Sequence, residues 1–132
     1  MSGDIAVVLD ATALTAYTRG QVAVGELMAE VADEGRHVAV PAACLAAAYA
    51  AGRDDLDTAM LALLMASPVV RVMPLGPENA RQSGALARPA DGDIALGHAA
   101  VVALTHEAHY ATTDPKAAAA VLPERWSILD LG

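Results

Sequence analysis

The chain has 132 residues, 55% of them hydrophobic and 18% charged, and a formal net charge of −8. This is the composition of a globular domain rather than a disordered chain, and the length fits one domain over residues 1–132. The charge opposes a protein that simply coats phosphate backbones, and 3% aromatic content with no Phe excludes base-stacking platforms.

The chain opens with "MSGDIAVVLD", which has an acid at Asp4 and no basic leader region, so it does not read as a signal peptide. Residues 5–9 form a short apolar run, expected to be a buried strand, and a helix follows in "ATALTAY". In "QVAVGELMAEVADEG", Val24, Leu27, Met28 and Val31 recur at helical spacing, and Gly35 is placed to stop the helix. "HVAVP" predicts a second strand of about three residues, with Pro41 opening the alanine-rich helix that ends at Gly52. In "DDLDTAMLALLMAS", Asp54 is placed as N-cap and Leu56, Met60, Leu63 and Leu64 share one face. The segment is apolar around more of its circumference than one buried face needs, which predicts a homodimer or partner surface.

"VVRVMPL" predicts the third strand, "GPENARQSGALA" a helix opening at Pro77, and residues 88–93 a loop. "IALGHAAVVALTHEA" predicts a mostly buried helix, "HYATTD" a fourth strand, Pro115 the start of a short helix, and "RWSILDL" the last strand. Arg, Asp or Glu interrupts every apolar run before the roughly 18 residues of a membrane span, so no membrane partner is expected. The lone Cys44 cannot form an internal disulfide, which fits a cytoplasmic protein and an inert core thiol. Short strands alternating with helices predict a three-layer α/β/α domain around a mainly parallel sheet of four to five strands.

In such a sheet, ligands collect at the carboxyl ends of the strands. Asp10 and Asp114 both follow strands, so both are expected on that edge. Hard-oxygen pairs of this kind suit Mg²⁺ or Mn²⁺. Each aspartate is also a good helix N-cap, Asp114 especially, because Pro115 follows it. Asp93 precedes an apolar helix and has the same two readings. Thr12 and Thr112 can orient ligands or cap helices, and His98 reads as a candidate ligand or a hydrogen-bonded core histidine. His106 and His109 lack zinc-helix spacing, and "GPENARQSG" lacks the lysine of a P-loop.

From "VVLDATAL" through "VPAACLAAAYAAG" and "DIALGHAAVVALTHEAHYATTDP" to "WSILD", the chain resembles the PIN-domain family. These are small α/β/α ribonucleases, many of them toxins of toxin–antitoxin pairs. Asp10 with Thr12 matches the opening motif, and Thr112, Thr113 and Asp114 match the closing one. The resemblance implies a metal-dependent endoribonuclease, with an RNA substrate and an antitoxin-like protein partner. It also implies catalytic and metal-binding roles for Asp10, Asp114 and Asp93. The chain departs from the family in two places. Ala47 or a neighbour stands where a Glu is usual, and His98 stands where an Asp is usual, with Asp93 one turn earlier as a partial substitute. The site is therefore degenerate, and two readings stay open: a nuclease with weakened or lost activity, and a non-catalytic module acting through protein binding or dimerisation. A receiver-like phosphate-accepting domain fits less well, since neither an acidic cluster at the first strand nor a lysine after the last is present.

Overall fold

The structure, a computed structural model, describes residues 2–132. The elements in chain order are β1 (Ile5–Leu9), α1 (Ala11–Thr18), α2 (Ala23–Asp33), β2 (His37–Pro41), α3 (Ala42–Ala50), α4 (Asp55–Met65), β3 (Val70–Met73), α5 (Pro77–Ala87), α6 (Ile94–His106), β4 (His109–Thr112), α7 (Pro115–Ala119) and β5 (Ile128–Asp130). Short 3₁₀ turns at Ser2–Asp4 and Arg88–Ala90 complete them. The five strands form one all-parallel sheet in the order β3-β2-β1-β4-β5, with helices on both faces, so the expected α/β/α class is found.

β1 lies in the middle of the sheet, and all five of its residues are buried, which explains its unbroken apolar run. Val7, Val8 and Leu9 pair with His109, Tyr110 and Ala111 of β4. The core consists of β1, β2 and β4 with the inner faces of the helices, and Tyr110 is its largest fully buried side chain. Helix α6, buried along Leu96–Ala103, covers β1, β2 and β4 and packs most extensively on α5. That packing is close because the facing residues are small. A methyl group on Gly97 would run into the Ser83 carbonyl oxygen and lie 3.1 Å from the Ala87 nitrogen.

Several expectations need correction. β2 spans five residues rather than about three, and Pro41 is its last residue and flanks α3 instead of opening it. β3 is the expected third strand, and it lies at the sheet edge with Arg71 and Val72 exposed. β5 is only Ile128–Asp130, and residues 88–93 hold a 3₁₀ turn before Asp91 and Gly92 take positive φ.

The largest difference is in α4. Asp54 does cap it, accepting from the Asp57 N–H at 3.0 Å. The buried face, however, is Asp57, Leu61 and Leu64, whereas Leu56 is 65% and Leu63 63% exposed. Asp57 turns inward because Arg53 grips both its oxygens, Nε to Oδ2 at 2.9 Å and Nη2 to Oδ1 at 3.2 Å. The Arg53 backbone N–H adds a third bond at 2.9 Å. That fork satisfies the buried carboxylate, and the inward Asp57 sets the rotation of the helix.

Candidate functional site

The chain leaves β1 towards β3 on one side of the sheet and reaches β4 and β5 on the other. The carboxyl ends of β1 and β4 therefore flank the topological switch point, where the strand order opens a crevice. Asp10 follows β1, and its backbone N–H bonds the Ala111 carbonyl of β4 at 3.3 Å. Thr112 ends β4 and Asp114 lies two residues on. Asp10 and Asp114 thus share one edge, as the strand pattern predicts. With Asp93 they line a single cleft of about 70 Å³, together with Thr12, Ala95 and Leu96.

All three aspartates are helix N-caps, and all three use Oδ1. Asp10 Oδ1 accepts from the Ala13 N–H of α1 at 3.0 Å. Asp93 Oδ1 accepts from the Leu96 N–H of α6 at 3.1 Å, and Asp114 Oδ1 from the Ala117 N–H of α7 at 3.2 Å. The cleft is therefore where three helix N-termini meet, and their partial positive charge offsets the clustered carboxylates. Capping and ligand binding do not exclude each other here, because a capping carboxylate keeps a second oxygen.

That second oxygen separates the three. Asp93 and Asp114 are exposed, and Oδ2 of each makes no hydrogen bond among the described residues. Asp10 is only 4% exposed, and its Oδ2 accepts from the Tyr110 hydroxyl at 3.0 Å. Its Oδ1 also accepts from the Thr12 hydroxyl at 2.6 Å. Asp10 thus has three donors for roughly four lone-pair positions.

Thr12 and Thr112 join the two strand ends. The Thr12 proton goes to Asp10, so at the 2.9 Å contact between the two hydroxyls Thr112 is the donor. Thr112 Oγ1 in turn accepts from the Asp114 N–H at 3.0 Å, and Thr12 Oγ1 accepts from the Thr113 N–H at 2.9 Å. A directional chain of hydrogen bonds therefore runs from the Asp114 backbone through both threonines to the Asp10 carboxylate. Asp10, Thr12, Thr112 and Asp114 are thereby joined in one hydrogen-bonded framework at the cleft.

His98 is not part of it. The ring is fully buried on α6, and its Nδ1 accepts from the Ala43 N–H at the start of α3 at 3.4 Å. The neutral ring then carries its proton on Nε2, which is buried with no well-formed hydrogen bond among the described residues, while a contact with the Pro74 backbone partly opposes the effect of burial. Burial pushes the His98 pKa down, which keeps the ring neutral. Of its two sequence readings, the core histidine is the one that matches this placement. Cys44, buried in α3, donates to the Ala95 carbonyl at 3.2 Å; burial first, then the Asp10 charge, pushes its thiol pKa well up, which suits an inert thiol.

Tyr110 was not a sequence candidate. Burial, and next the Asp10 charge, raise its pKa far above the ordinary phenol value, so it remains a donor. A sequence signal existed: within "HYATTD" Tyr110 lies two residues from Thr112 and so on the same side of the strand. Beside the cleft, Ala11 and Thr12 also border a wider groove of about 450 Å³ lined as well by Ala47, Ala51, Arg19 and Gln21. Ala47 gives that groove an apolar side chain.

No family model and no curated protein matches the chain. The donor set speaks for itself. Carboxylate oxygens at a shared cleft suit a hard cation such as Mg²⁺ or Mn²⁺ and would not favour a soft one. Among the described residues, however, no three His, Cys, Asp or Glu side chains gather closely enough to hold one ion between them. Asp93 and Asp114 are the cleft aspartates whose Oδ2 makes no hydrogen bond among the described residues, whereas Asp10 Oδ2 is bonded to Tyr110.

Proposed function

We propose that the chain is a divergent PIN-like domain of the cytoplasm whose Mg²⁺- or Mn²⁺-dependent endoribonuclease site is attenuated. The observation that carries this reading is the convergence of Asp10, Asp93 and Asp114 on one cleft at the switch point, where Asp93 and Asp114 keep an Oδ2 that makes no hydrogen bond among the described residues. Those two residues would hold the ion. A bound divalent ion supplies an activated water and neutralises phosphate charge. Two carboxylates suffice for Mg²⁺ when substrate phosphate completes its shell, but such a site is weak. The threonine chain fixes where Asp114 sits relative to Asp10, and Ala47 offers no group to orient an attacking water.

The test is cleavage of single-stranded RNA with Mn²⁺ or Mg²⁺ by wild type and Asp114→Asn. Slow cleavage that disappears in Asp114→Asn is expected. Cleavage unaffected by Asp114→Asn, or none in wild type at millimolar Mn²⁺, overturns the nuclease reading.

The second reading is a non-catalytic PIN-like module that binds a second copy or an antitoxin-like protein. Its support is the exposed apolar stripe of α4, Leu56 and Leu63, with Val22 at the start of α2 also exposed. Sedimentation equilibrium tests it. A dimer in wild type that Leu63→Lys converts to monomer is expected on this reading, and a monomer in both removes the homodimer.

A further inference from the structure

We propose that the groove between α1 and α3 binds a small phosphomonoester, with Arg19 as the group that recognises its phosphate. The groove holds about 450 Å³, within the roughly 300–1,000 Å³ of small-molecule sites. Thr12, Thr15, Ala16 and Arg19 recur at helical spacing, so one face of α1 makes one side of it. Ala47 of α3 and Ala51, one turn on, line it as well. Four polar side chains in this groove have no partner. Those of Thr15, Arg19, Gln21 and Thr113 make no hydrogen bond or ion pair among the described residues, whereas the hydroxyls of Thr12 and Thr18 on the same helix are bonded. Arg36, Arg53 and Arg71, by contrast, each pair with an acid. Asp57 feels the Arg19 charge, but Arg53 already bonds both of its oxygens.

The placement of these groups selects the ligand. Thr15 and Arg19 are one turn apart on α1, about 5 to 6 Å between Cβ atoms. A guanidinium takes two oxygens of one anion, and the Thr15 hydroxyl adds a further donor on the same face. A phosphomonoester offers three terminal oxygens to that set, whereas a carboxylate offers two. From Arg19 back to Thr12 is about 10 Å along the helix. Ala16, Ala47 and Ala51 line that length, and Thr113 lies beside Thr12 at its far end. A sugar or nucleoside carried on the phosphate fits such a strip. One cation suits one phosphate: a nucleic-acid strand needs several basic contacts, and a net charge of −8 repels a polyanion. The C-terminal end of a helix disfavours anions. Here, however, the Thr15, Ala16 and Tyr17 carbonyls already accept from the backbone N–H groups of Arg19, Gly20 and Gln21.

Calorimetry and ligand-observed NMR on the full chain test the proposal, in EDTA so that no divalent ion at the aspartates holds the phosphate. The probes are AMP, ribose 5-phosphate, adenosine, inorganic phosphate and an RNA tetranucleotide. Wild type is compared with Arg19→Gln, Thr15→Val, Ala47→Leu and, as an exposed cation outside the groove, Arg88→Gln, with circular dichroism verifying folding. The expected result is saturable binding of AMP and ribose 5-phosphate, tighter than that of inorganic phosphate, and none of adenosine. Arg19→Gln weakens it roughly tenfold or more and Thr15→Val about threefold, in line with lost hydrogen bonds to a charged group. Ala47→Leu fills the groove without altering a charge and abolishes binding, and Arg88→Gln leaves it unchanged. No saturable binding of either ester, equal binding in folded Arg19→Gln, or tighter binding of the tetranucleotide than of AMP overturns the proposal. The site uses neither a metal nor the three aspartates, so it stands apart from the nuclease reading. Arg19-dependent AMP binding by a chain that cleaves no RNA sustains the groove and sinks the nuclease, and cleavage without AMP binding does the reverse.

Discussion

Thr12 and Thr112 stand one hundred positions apart and share a 2.9 Å hydrogen bond across the switch point. Thr12 Oγ1 handles three partners at once: it donates to Asp10 and accepts from Thr112 and from the Thr113 N–H. Thr12→Val keeps the shape and removes all three bonds. Because the position is half-buried, water replaces part of the loss, and a destabilisation of about 2 kcal/mol is expected. Thr12→Ser keeps the hydroxyl and should lose well under half of that. Urea unfolding of both variants checks it, and a Thr12→Val variant as stable as wild type would show that the chain of bonds contributes nothing.

The inward Asp57 makes a pH prediction. The Arg53 side chain, then the Arg53 N–H, hold its pKa down from the ordinary 3.8 to about 2. A depressed carboxylate pKa stabilises the folded state above the unfolded value and loses that contribution as pH falls through the folded one. The contribution is therefore complete above about pH 4 and declines towards pH 2. Asp57→Asn removes this component, so its stability should change less steeply than wild type between pH 4 and pH 2. Urea midpoints across that range measure the difference, and parallel curves for the two proteins would refute the assignment.

The same residue shows where the sequence is readable and where it is not. Strand β1 is legible because an apolar run stops at an acid, and Asp114 because Pro115 follows it. The parallel order puts both at one edge, so the cleft itself can be reached from the sequence. α4 cannot be oriented that way. Periodicity places leucines inward and charges outward, but Arg53 makes a buried carboxylate tolerable, and the helix turns so that Leu56 and Leu63 face out. Edge position likewise exposes β3 despite its apolar residues, because nothing in "VVRVM" records that no further strand lies beyond it. The Tyr110–Asp10 bond needs the β1–β4 register, which is a tertiary fact.

The α5–α6 contact yields the last prediction. Gly97 has an ordinary helical backbone, so its role is room rather than conformational freedom. A Cβ there meets the Ser83 carbonyl and the Ala87 backbone nitrogen, and backbone atoms cannot step aside as a side chain can. Gly97→Ala must therefore push α5 and α6 apart. Overpacking of this kind costs about 3 kcal/mol, and alanine returns about 1 kcal/mol through helix propensity, leaving a net loss of about 2 kcal/mol. For a domain of this size, that lowers the melting temperature by roughly 6 to 8 °C. Gly84→Ala is the matched control, because it also lies within α5 and its added Cβ meets nothing within 4 Å. Propensity acts alone there, so Gly84→Ala should stabilise by about 0.5 to 1 kcal/mol. Opposite signs for the same substitution at two helical glycines are the expected result in thermal unfolding. A Gly97→Ala variant that gains stability as Gly84→Ala does would mean that the two helices do not approach so closely.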